Sequence, residues 1–521
     1  MSRTIPGGVG LFALALTVVT SLPYLAGLLN TPDGHLFTGA AALPTGIAVD
    51  YHSHLAKIWQ GRTGQFAYQL LFTHEPHPGL PLVQGFYVAL GALSPLEPAL
   101  TYHLARIVFT FGMVLAIYHF GARFFALETE RWLFLIFATL VSGASWLLLI
   151  IDPAQTAQIA PIEFWLIDAY NLAGALFMPH FAAAVGLQAL AALAFMDRRP
   201  LWLTLFLALL AILQPYVLVI TAPLFVLVTL HTMAAQKAGW EAVLWLILPL
   251  GVQMALTGYQ FVALQSDPVW QAFTAQNITA SPPPVYYLLG YLPFLLPIAL
   301  GGRGIAAQRS ALGLVIAWVL MISLFLYAPL PTQRRFLIGL QTPLAVLAVF
   351  GWRHWLRRVT PSRRALVAVI YVVIAGLPLA VLIGANTIGR PVDVYYAPAE
   401  RAGNAWLHEN PPSGVILTTF DSSGRGSGGR VVGATGMRVY AGHWIETADF
   451  QTKIALLRQF YDPAESDAWR WQFMRESGIS HIWYDDYARA QGAWSPAQSP
   501  DLQRVFTSGG DHPVEIYRFI P

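Results

Sequence analysis

Acidic and histidine side chains are concentrated in residues 50–78 of a chain that otherwise carries little charge. The acids are Asp50 and Glu75, and the histidines are His52, His54, His74 and His77. Carboxylates and imidazoles are the side chains that most often exchange protons near neutral pH. This stretch is therefore predicted to hold a site of proton transfer.

Asp50 is the first candidate for the base. If residues 50–59 are helical, the spacing i, i+3, i+4 and i+7 places Asp50, Ser53, His54 and Lys57 on one face. A sheltered carboxylate is a better base near neutral pH, because burial disfavours its charged form. His54 would then hydrogen-bond the acid or contact a substrate. The alternative is that Asp50 only caps a helix that follows an apolar segment.

Glu75 is the second candidate, and three roles stay open for it: metal ligand, second acid or substrate contact. A divalent metal ion would find its ligands among His52, His54, His74, Glu75 and His77. Their spacing matches no standard metal motif, and histidines near a membrane surface are often only polar lining. The possible metal ion is the one cofactor that the sequence suggests.

The composition places this stretch in a membrane protein. The chain has 521 residues, of which 56% are hydrophobic and only 11% are charged, against about 25% charged in soluble domains. Long apolar runs recur from residue 8 to about residue 384, which indicates an all-α bundle that crosses the membrane many times. The chain contains no cysteine, so thiolate nucleophiles and cysteine metal sites are excluded.

The apolar runs number about twelve, and three polar loops interrupt them at 31–78, 152–175 and 263–285. Arg3 favours an N-terminus in the cytoplasm, and the basic run at 353–364 is a second cytoplasmic marker. With everything after residue 385 outside, the number of crossings must be odd. We therefore predict 11–13 transmembrane helices in residues 1–389.

Three further residues are predicted to face the outer side. Arg334 and Arg335 lie at the predicted outer surface, the less usual side for arginine, and guanidinium groups bind phosphate through two hydrogen bonds. His180 follows Pro179 where a helix re-enters the membrane and would face the same cavity. The alternatives are arginine side chains that snorkel to the interface and an interfacial histidine.

Residues 390–521 differ in kind, because charged residues, glycine and serine are frequent and apolar runs shorten to strand length. Helices are predicted at 400–408, 454–460 and 468–476, and buried strands at 414–418 and 479–484. This alternation predicts a soluble α/β domain. Asp421–Gly429 is rich in glycine, but no helix is predicted after it, so a nucleotide-binding fingerprint is rejected.

In this arrangement the chain resembles the C-type (GT-C) superfamily of integral membrane glycosyltransferases. That group includes the dolichyl-phosphate-mannose protein mannosyltransferases and the aminoarabinose lipid A transferases. Four features carry the resemblance: Asp50 early in the first outside loop, the segment His74–Pro81, Arg334-Arg335-Phe336 before a late span, and a small α/β domain after the last helix.

The resemblance implies a plasma-membrane enzyme that moves a sugar from a polyprenyl-phosphate-linked donor to a lipid, glycan or protein acceptor. The acceptor and the C-terminal domain would be extracytoplasmic, membrane lipids would surround the bundle, and no nucleic acid would take part. Asp50 would be the general base, with Glu75 and His54 as further catalytic residues. The substrate-binding residues would be Arg334, Arg335, His74, His77, His180 and Tyr51, the last standing where the family often has a second acid.

Two other functions remain open from the sequence. A transporter or lipid flippase is disfavoured, because transporters place ionisable groups within their helices and show repeated halves, and no repeat is evident here. A non-catalytic cell-envelope assembly protein would not need Asp50, Glu75 or the arginine pair.

Overall fold

A computed structural model describes residues 6–237, 239–356, 359–389 and 394–520. These residues divide into two compact units. The first contains the chain up to Pro23, Leu104–Gln260 and Ile278–Ala385, and the second contains Tyr24–His103, Phe261–Asn277 and the chain from Asn386 onward. The residues predicted as a soluble domain, 390–521, thus share the second unit with 24–103 and 261–277.

Helices dominate the chain. The first half contains α1 (Gly7–Leu29), α2 (Thr45–Arg62), α3 (Gly85–Leu93), α4 (Pro98–Gly121), α5 (Glu128–Thr139), α6 (Leu148–Ile151), α7 (Pro153–Gln158), α8 (Asn171–Phe177), α9 (Pro179–Met196), α10 (Pro200–Leu213), α11 (Leu218–Gln236), α12 (Glu241–Leu244) and α13 (Ile247–Leu264). The second half contains α14 (Pro268–Gln276), α15 (Pro284–Gly290), α16 (Leu292–Leu300), α17 (Gly302–Ala307), α18 (Gly313–Phe325), α19 (Gln341–Leu356), α20 (Pro361–Ile388), α21 (Pro398–Glu409), α22 (Ser427–Thr435), α23 (Phe450–Phe460), α24 (Asp467–Glu476) and α25 (Asp486–Arg489).

Within the described residues, six helical segments are long and apolar enough to cross a membrane by length and composition. They are Gly7–Leu29, Pro98–Gly121, Pro179–Met196, Pro215–Gln236, Ile247–Leu264 and Leu366–Ile388. Two shorter apolar helices, α10 and α18, add to these. The chain is therefore a multi-pass membrane protein, and the count of 11–13 crossings stays a prediction. Arg3, Arg357 and Arg358, on which the predicted topology partly depends, lie outside the described residues.

Several apolar runs are divided into shorter helices. The run at 201–232 breaks at Gln214-Pro215 into α10 and α11, and the run at 286–300 breaks at Tyr291 into α15 and α16. Proline explains both breaks, since Pro215 is the first residue and Pro293 the second residue of the new helical segment, where a missing N–H costs nothing. Apolar length alone therefore predicts more long helices than form.

Buried amides satisfy the backbone where helices of the first unit end. The Gln341 side-chain N–H donates to the carbonyls of Phe137 (2.8 Å) and Val141 (2.7 Å), and the Asn171 side chain donates to Ala138 (2.9 Å). The Gln341 side-chain oxygen in turn accepts from the Asn171 backbone N–H at 2.6 Å. These carbonyls lie at the end of α5, where in-helix partners run out and water is scarce.

The second unit holds the strands. They are β1 (Leu36–Phe37), β2 (Ala67–Tyr68), β3 (Leu80–Pro81), β4 (Tyr395–Tyr396), β5 (Val415–Leu417), β6 (Ile479–Tyr484), β7 (Leu502–Thr507) and β8 (Glu515–Phe519). Strands β5–β8 form one sheet in the order β5-β6-β8-β7, in which only the β5–β6 pair is parallel. Strands β1 and β4 pair with each other, as do β2 and β3.

The predicted elements of the C-terminal part are confirmed. Helices α21, α23 and α24 and strand β6 cover the predicted segments, and β5 lies within the predicted strand at 414–418. An apolar core with Leu417, Ile482, Leu457 and Met474 lies between sheet and helices. The prediction that no helix follows the glycine-rich loop, on which the nucleotide-binding fingerprint was rejected, is wrong, because α22 is present there. Its glycines allow backbone to approach backbone, since a Cβ on Gly428 would lie 2.2 Å from the carbonyl oxygen of Ala441.

Helices α2 and α3 of the second unit pack unusually closely through two glycines. A Cβ on Gly61 would lie 1.9 Å from the carbonyl oxygen of Val88, and one on Gly91 would lie 2.0 Å from that of Ile58. No side chain fits at either place. The contact therefore fixes α2, which carries Asp50, against its neighbour.

The substitution Gly61→Ala is expected to destabilise the protein by about 1–3 kcal/mol, the usual cost of overpacking a tight contact. The measurement is thermal unfolding of the purified protein in detergent. Gly112→Ala is the matched control, because Gly112 lies within α4 and has no atom within 4 Å of the added Cβ. Equal melting of the two variants would contradict the close contact.

Candidate active site

Helix α2 holds Asp50 within its body, not at its end. The helix begins at Thr45 after Pro44, and Pro44 makes no side-chain capping bond. Asp50 lies in the second turn, so the interpretation of Asp50 as a helix cap is wrong. The predicted helical spacing is present, and Asp50, Ser53 and Lys57 all contact one segment of the chain, residues 443–447.

His443 is the partner of Asp50. The Nε2 atom of His443 lies 3.3 Å from Oδ1 of Asp50. The His443 side chain is only 3% exposed, whereas Asp50 is 35% exposed. Among the described residues, Oδ2 of Asp50 has no hydrogen-bond partner. One oxygen of the carboxylate is thus held from inside the protein, and the side chain is still accessible from outside.

The segment around His443 is a tight turn with its own hydrogen bonds. The Thr447 hydroxyl accepts the backbone N–H groups of Gly442 (3.1 Å) and His443 (3.2 Å), and it donates to the carbonyl of Phe72 at 2.9 Å. The ring of His443 also packs against the ring of Phe72, with 5.6 Å between centroids. These contacts fix the imidazole relative to the loop that follows α2.

Glu446 anchors the same segment to α2 through a buried network. Its Oε1 accepts from Lys57 Nζ at 2.7 Å and from the Ser53 hydroxyl at 2.5 Å, and its Oε2 accepts from the Tyr68 hydroxyl at 2.5 Å. Burial acts to raise the pKa of Glu446, but the charge of Lys57 and the hydrogen bonds from Lys57 and Ser53 hold the pKa below its usual value. Glu446 is therefore an ionised carboxylate inside the protein.

Glu75 forms a second buried ion pair. Its Oε2 lies 2.8 Å from Lys453 Nζ and accepts the Thr73 hydroxyl, and its Oε1 lies 3.4 Å from Nδ1 of His74. Burial lowers the pKa of Lys453 to about 8, although Glu75 acts to raise it. Burial acts to raise the pKa of Glu75, and Lys453 with its hydrogen bond holds that pKa below its usual value. Burial thus outweighs the ion pair at Lys453, which is 3% exposed, whereas the ion pair outweighs burial at Glu75, which is 27% exposed.

The two histidines beside Glu75 have different surroundings. His74 stacks on Tyr440 with 4.9 Å between centroids, and burial followed by the charge of Lys453 lowers its pKa to about 4. His77 uses both ring nitrogens on the backbone: Nε2 accepts from the Leu70 N–H at 2.9 Å, and Nδ1 donates to the carbonyl of Glu75 at 2.7 Å. These bonds give His77 a structural role in the loop, which leaves neither nitrogen available to a metal ion or a substrate.

The other predicted residues of α2 point elsewhere. His54 stacks on Tyr87 with 4.1 Å between centroids. The Tyr51 side chain is buried, and its hydroxyl donates to the carbonyl of Thr38 at 2.9 Å. His52 is buried against α22, where only a glycine leaves room for it, and burial followed by the charge of Arg430 lowers its pKa to about 3.

The predicted metal ligands are not brought together. His52 and His54 are two residues apart on a helix, so their side chains diverge by about 200°, and His77 is engaged by the backbone. Across 6–237, 239–356, 359–389 and 394–520, no group of three or more histidines and acids is close enough to hold a metal ion. No step is therefore assigned to a metal.

Arg334 and Arg335 belong to the first unit, in a short 3₁₀ turn, Gln333–Leu337. The guanidinium of Arg334 lies over the ring of Trp165, 5.1 Å from its centroid, and Arg335 forms a hydrogen bond with the Tyr216 side chain. Asp168 acts electrostatically on Tyr216 as well. Arg335 and Asp168 thus both act on the same tyrosine.

His180 also lies in the first unit, at the beginning of α9, as predicted. Its ring meets Phe181 edge-on, with 4.3 Å between centroids, and its side chain is partly exposed. Because His180 lies at the start of α9, its imidazole lies at one end of that apolar helix. Its predicted role in substrate binding stays a prediction.

The sequence did not predict the residues that hold Asp50. The segment Tyr440–Glu446 follows a bridge between Val439 and Ile416 beside β5. A signal was present in it: His443 and Glu446, three residues apart, are polar residues in an otherwise uncharged and largely apolar segment. Lys57 and Lys453, both buried, likewise required acidic partners.

Comparison with solved structures gives matches along most of the chain. One is the apo ArnT of Cupriavidus metallidurans, at 13% identity and a TM-score of 0.54, with 99% of both chains covered. Another is the oligosaccharyltransferase AglB of Archaeoglobus fulgidus, at 11% identity and a TM-score of 0.53, with 91% of this chain and 69% of that chain covered. The fold is that of the GT-C glycosyltransferases.

A third structure with the GT-C fold is the mycobacterial arabinofuranosyltransferase AftD, at 14% identity and a TM-score of 0.53. It covers 97% of this chain, which spans only 40% of AftD. No family model matches the sequence, and a search of curated proteins found no relative. At these identities the likeness establishes the GT-C fold, and the chemistry has to be argued from the residues of this chain.

Proposed function

We propose that this protein is a membrane glycosyltransferase that moves a sugar from a polyprenyl-phosphate-linked donor to an acceptor hydroxyl or amide. The observation that carries the proposal is Asp50: a partly exposed carboxylate, held by a buried histidine, on a GT-C fold. ArnT of C. metallidurans has been solved with undecaprenyl phosphate, and AglB with a dolichol phosphate and a peptide. Those ligands support a lipid phosphate donor for the present chain.

In this proposal Asp50 is the general base. The acceptor gives its proton to the carboxylate while its heteroatom attacks the anomeric carbon of the donor. The bond between that carbon and the phosphate oxygen breaks, and the lipid phosphate leaves with the electron pair. Proton transfer of this kind contributes about 10²–10⁴-fold to a rate.

Other predicted residues take supporting roles. Glu75 holds Lys453 and the loop after α2, because both of its oxygens are engaged. His74 is 19% exposed and remains a candidate for contact with the acceptor. His54 and Tyr51 support α2 through stacking and hydrogen bonding.

Arg334 and Arg335 are proposed to bind the phosphate of the donor. The two arginines lie side by side in one short turn, Gln333–Leu337, and a guanidinium offers two parallel N–H donors to phosphate oxygens. His180 is proposed as a further contact of the same lipid. The acceptor, Asp50 and the C-terminal part are proposed to be extracytoplasmic, on the basis of the basic run at 353–364.

The test of the function uses the full-length protein in proteoliposomes and a panel of polyprenyl-phosphate-linked pentoses and hexoses. The products to be measured are the freed polyprenyl phosphate and the sugar attached to lipid, glycan or protein acceptors from membranes. Transfer from at least one donor supports the proposal. Absence of transfer from every donor, with a protein that still melts cooperatively, would overturn it.

Replacement of Arg334 and Arg335 together by alanine is expected to weaken binding of undecaprenyl phosphate about 10²–10⁴-fold, because hydrogen bonds to charged groups contribute about 1.5–3 kcal/mol each and the double variant removes two such partners. The dissociation constant is measured by titration in nanodiscs. Arg504→Ala with Arg518→Ala is the matched control, since Arg504 and Arg518 are exposed residues of β7 and β8. Equal affinities in the two double variants would remove the phosphate role.

A further inference from the structure

The ring of His443 is held by the backbone on the side opposite to Asp50. Its Nδ1 atom accepts the N–H of Ile445 at 3.1 Å and the N–H of Glu446 at 3.2 Å. A backbone N–H can only donate, so Nδ1 carries no proton. The proton of the neutral imidazole is therefore on Nε2, and the 3.3 Å contact is a hydrogen bond from His443 to Asp50.

This arrangement distinguishes the two carboxylate oxygens. Oδ1 is occupied by a neutral donor from a 3% exposed side chain. Oδ2 lies on a carboxylate that is 35% exposed, and among the described residues it accepts no hydrogen bond. A proton that arrives from outside is therefore received at Oδ2.

We propose that His443 is a positioning residue for the base: it orients the Asp50 carboxylate through Nε2–H and leaves Oδ2 to take the proton of the acceptor. The inference rests on the proposed function of Asp50 and assigns a role to a residue of the C-terminal part. The roles are the reverse of those in a catalytic triad, where a carboxylate orients a histidine base. Here the histidine neither receives nor releases a proton in the reaction.

Asp50, His443 and water account for every position of the proton during the reaction. The acceptor proton passes to Oδ2, which turns Asp50 into a neutral carboxylic acid whose Oδ1 still accepts from Nε2–H. After the lipid phosphate has left, the acid returns its proton to water. His443 remains neutral throughout, because Nδ1 stays bonded to two backbone donors.

The buried network of Glu446 serves this arrangement. The Glu446 backbone provides one of the two N–H donors to His443, and its carboxylate is fixed on α2 by Ser53 and Lys57 and is also held by Tyr68 of β2. Asp50 lies on the same helix, seven residues before Lys57. Both members of the hydrogen bond are thus attached to α2: Asp50 directly, and His443 through Glu446.

The first test is spectroscopic and does not depend on turnover. In ¹⁵N-histidine-labelled protein at pH 8, the signal that disappears in His443→Gln is expected to have Nε2 protonated and Nδ1 unprotonated. The Nε2 signal is expected to shift in Asp50→Ala. A proton on Nδ1, or no change in Asp50→Ala, would overturn the inference even if the protein proves to be a glycosyltransferase.

The second test compares two variants in the sugar-transfer assay. His443→Phe keeps a ring but removes the donor, and its kcat is expected to fall about 10- to 100-fold with little change in KM, the effect of one hydrogen bond to a charged group. His443→Gln retains an N–H donor and is expected to recover kcat to within about 3-fold of wild type.

His512→Gln, at an 80% exposed histidine, is the control. Wild-type kcat in His443→Phe, or equal loss in both variants, would overturn the positioning role. No turnover in the wild type would refute the proposed function and leave the spectroscopic result to decide the hydrogen bond.

Discussion

Asp50→Asn is expected to lower the rate of sugar transfer by about 10²–10⁴-fold, the contribution of a positioned general base. The amide has the shape of the carboxylate, and its oxygen can still accept from His443 Nε2–H. It has no basic oxygen to receive the proton of the acceptor. The measurement is kcat for release of polyprenyl phosphate by the purified variant in proteoliposomes.

Melting temperature and affinity for undecaprenyl phosphate are expected to stay close to wild type in Asp50→Asn, since Asp50 is partly exposed and its side chain makes one hydrogen bond within the described part of the chain. Asp511→Asn provides the matched control, because it makes the same chemical change at an exposed position. Full turnover by Asp50→Asn would discard the base assignment. Loss of turnover in Asp511→Asn too would point to a general loss of activity unrelated to the base.

Local spacing was enough to predict one half of the site. The pattern of Asp50, Ser53 and Lys57 along residues 50–59 predicts a common helical face, and α2 places all three against residues 443–447. The periodicity of a helix is a property of neighbours in the chain, so a single sequence contains it. Similarly, the apolar runs predicted the membrane bundle, and the alternation after residue 390 predicted the helices and strands around β5 and β6.

The other half of the site depends on contacts between distant parts of the chain. His443 meets Asp50 across 393 positions, and Glu446 meets Lys57 across 389. Nothing in the local sequence of residues 440–446 specifies which helix they will contact. One general rule still applies: a lysine that becomes buried, such as Lys57 or Lys453, needs an acidic partner, because an isolated charge inside a protein is too costly.

The predicted metal site shows how nearness in sequence misleads. His52 and His54 are close in the chain, yet an α-helix turns about 200° between them. His77 and Glu75 are close as well, but the backbone and Lys453 already use their polar atoms. In an ordered loop, imidazoles and carboxylates also serve to satisfy backbone groups and buried cations.

Lys57→Met is expected to lower the free energy of unfolding by about 3–5 kcal/mol, because it leaves the Glu446 carboxylate buried without its cation. The pair has an N–O distance of 2.7 Å, and its side chains are 2% and 4% exposed. The double variant Lys57→Met with Glu446→Met removes both charges and fills similar volume, so most of the stability is expected to return. Unfolding is followed in mixed micelles titrated with SDS.

Arg504→Met is the matched control for this pair, because Arg504 lies 2.9 Å from Glu515 but is 53% exposed. Exposed ion pairs contribute only about 0–1 kcal/mol, so its expected effect is small. A loss in Lys57→Met no larger than that in Arg504→Met would show that the charge of Glu446 is solvated and not buried. If the double variant recovered stability but not turnover, the network would be needed to place His443 beside Asp50, because Glu446 supplies both the anchor on α2 and an N–H to the imidazole.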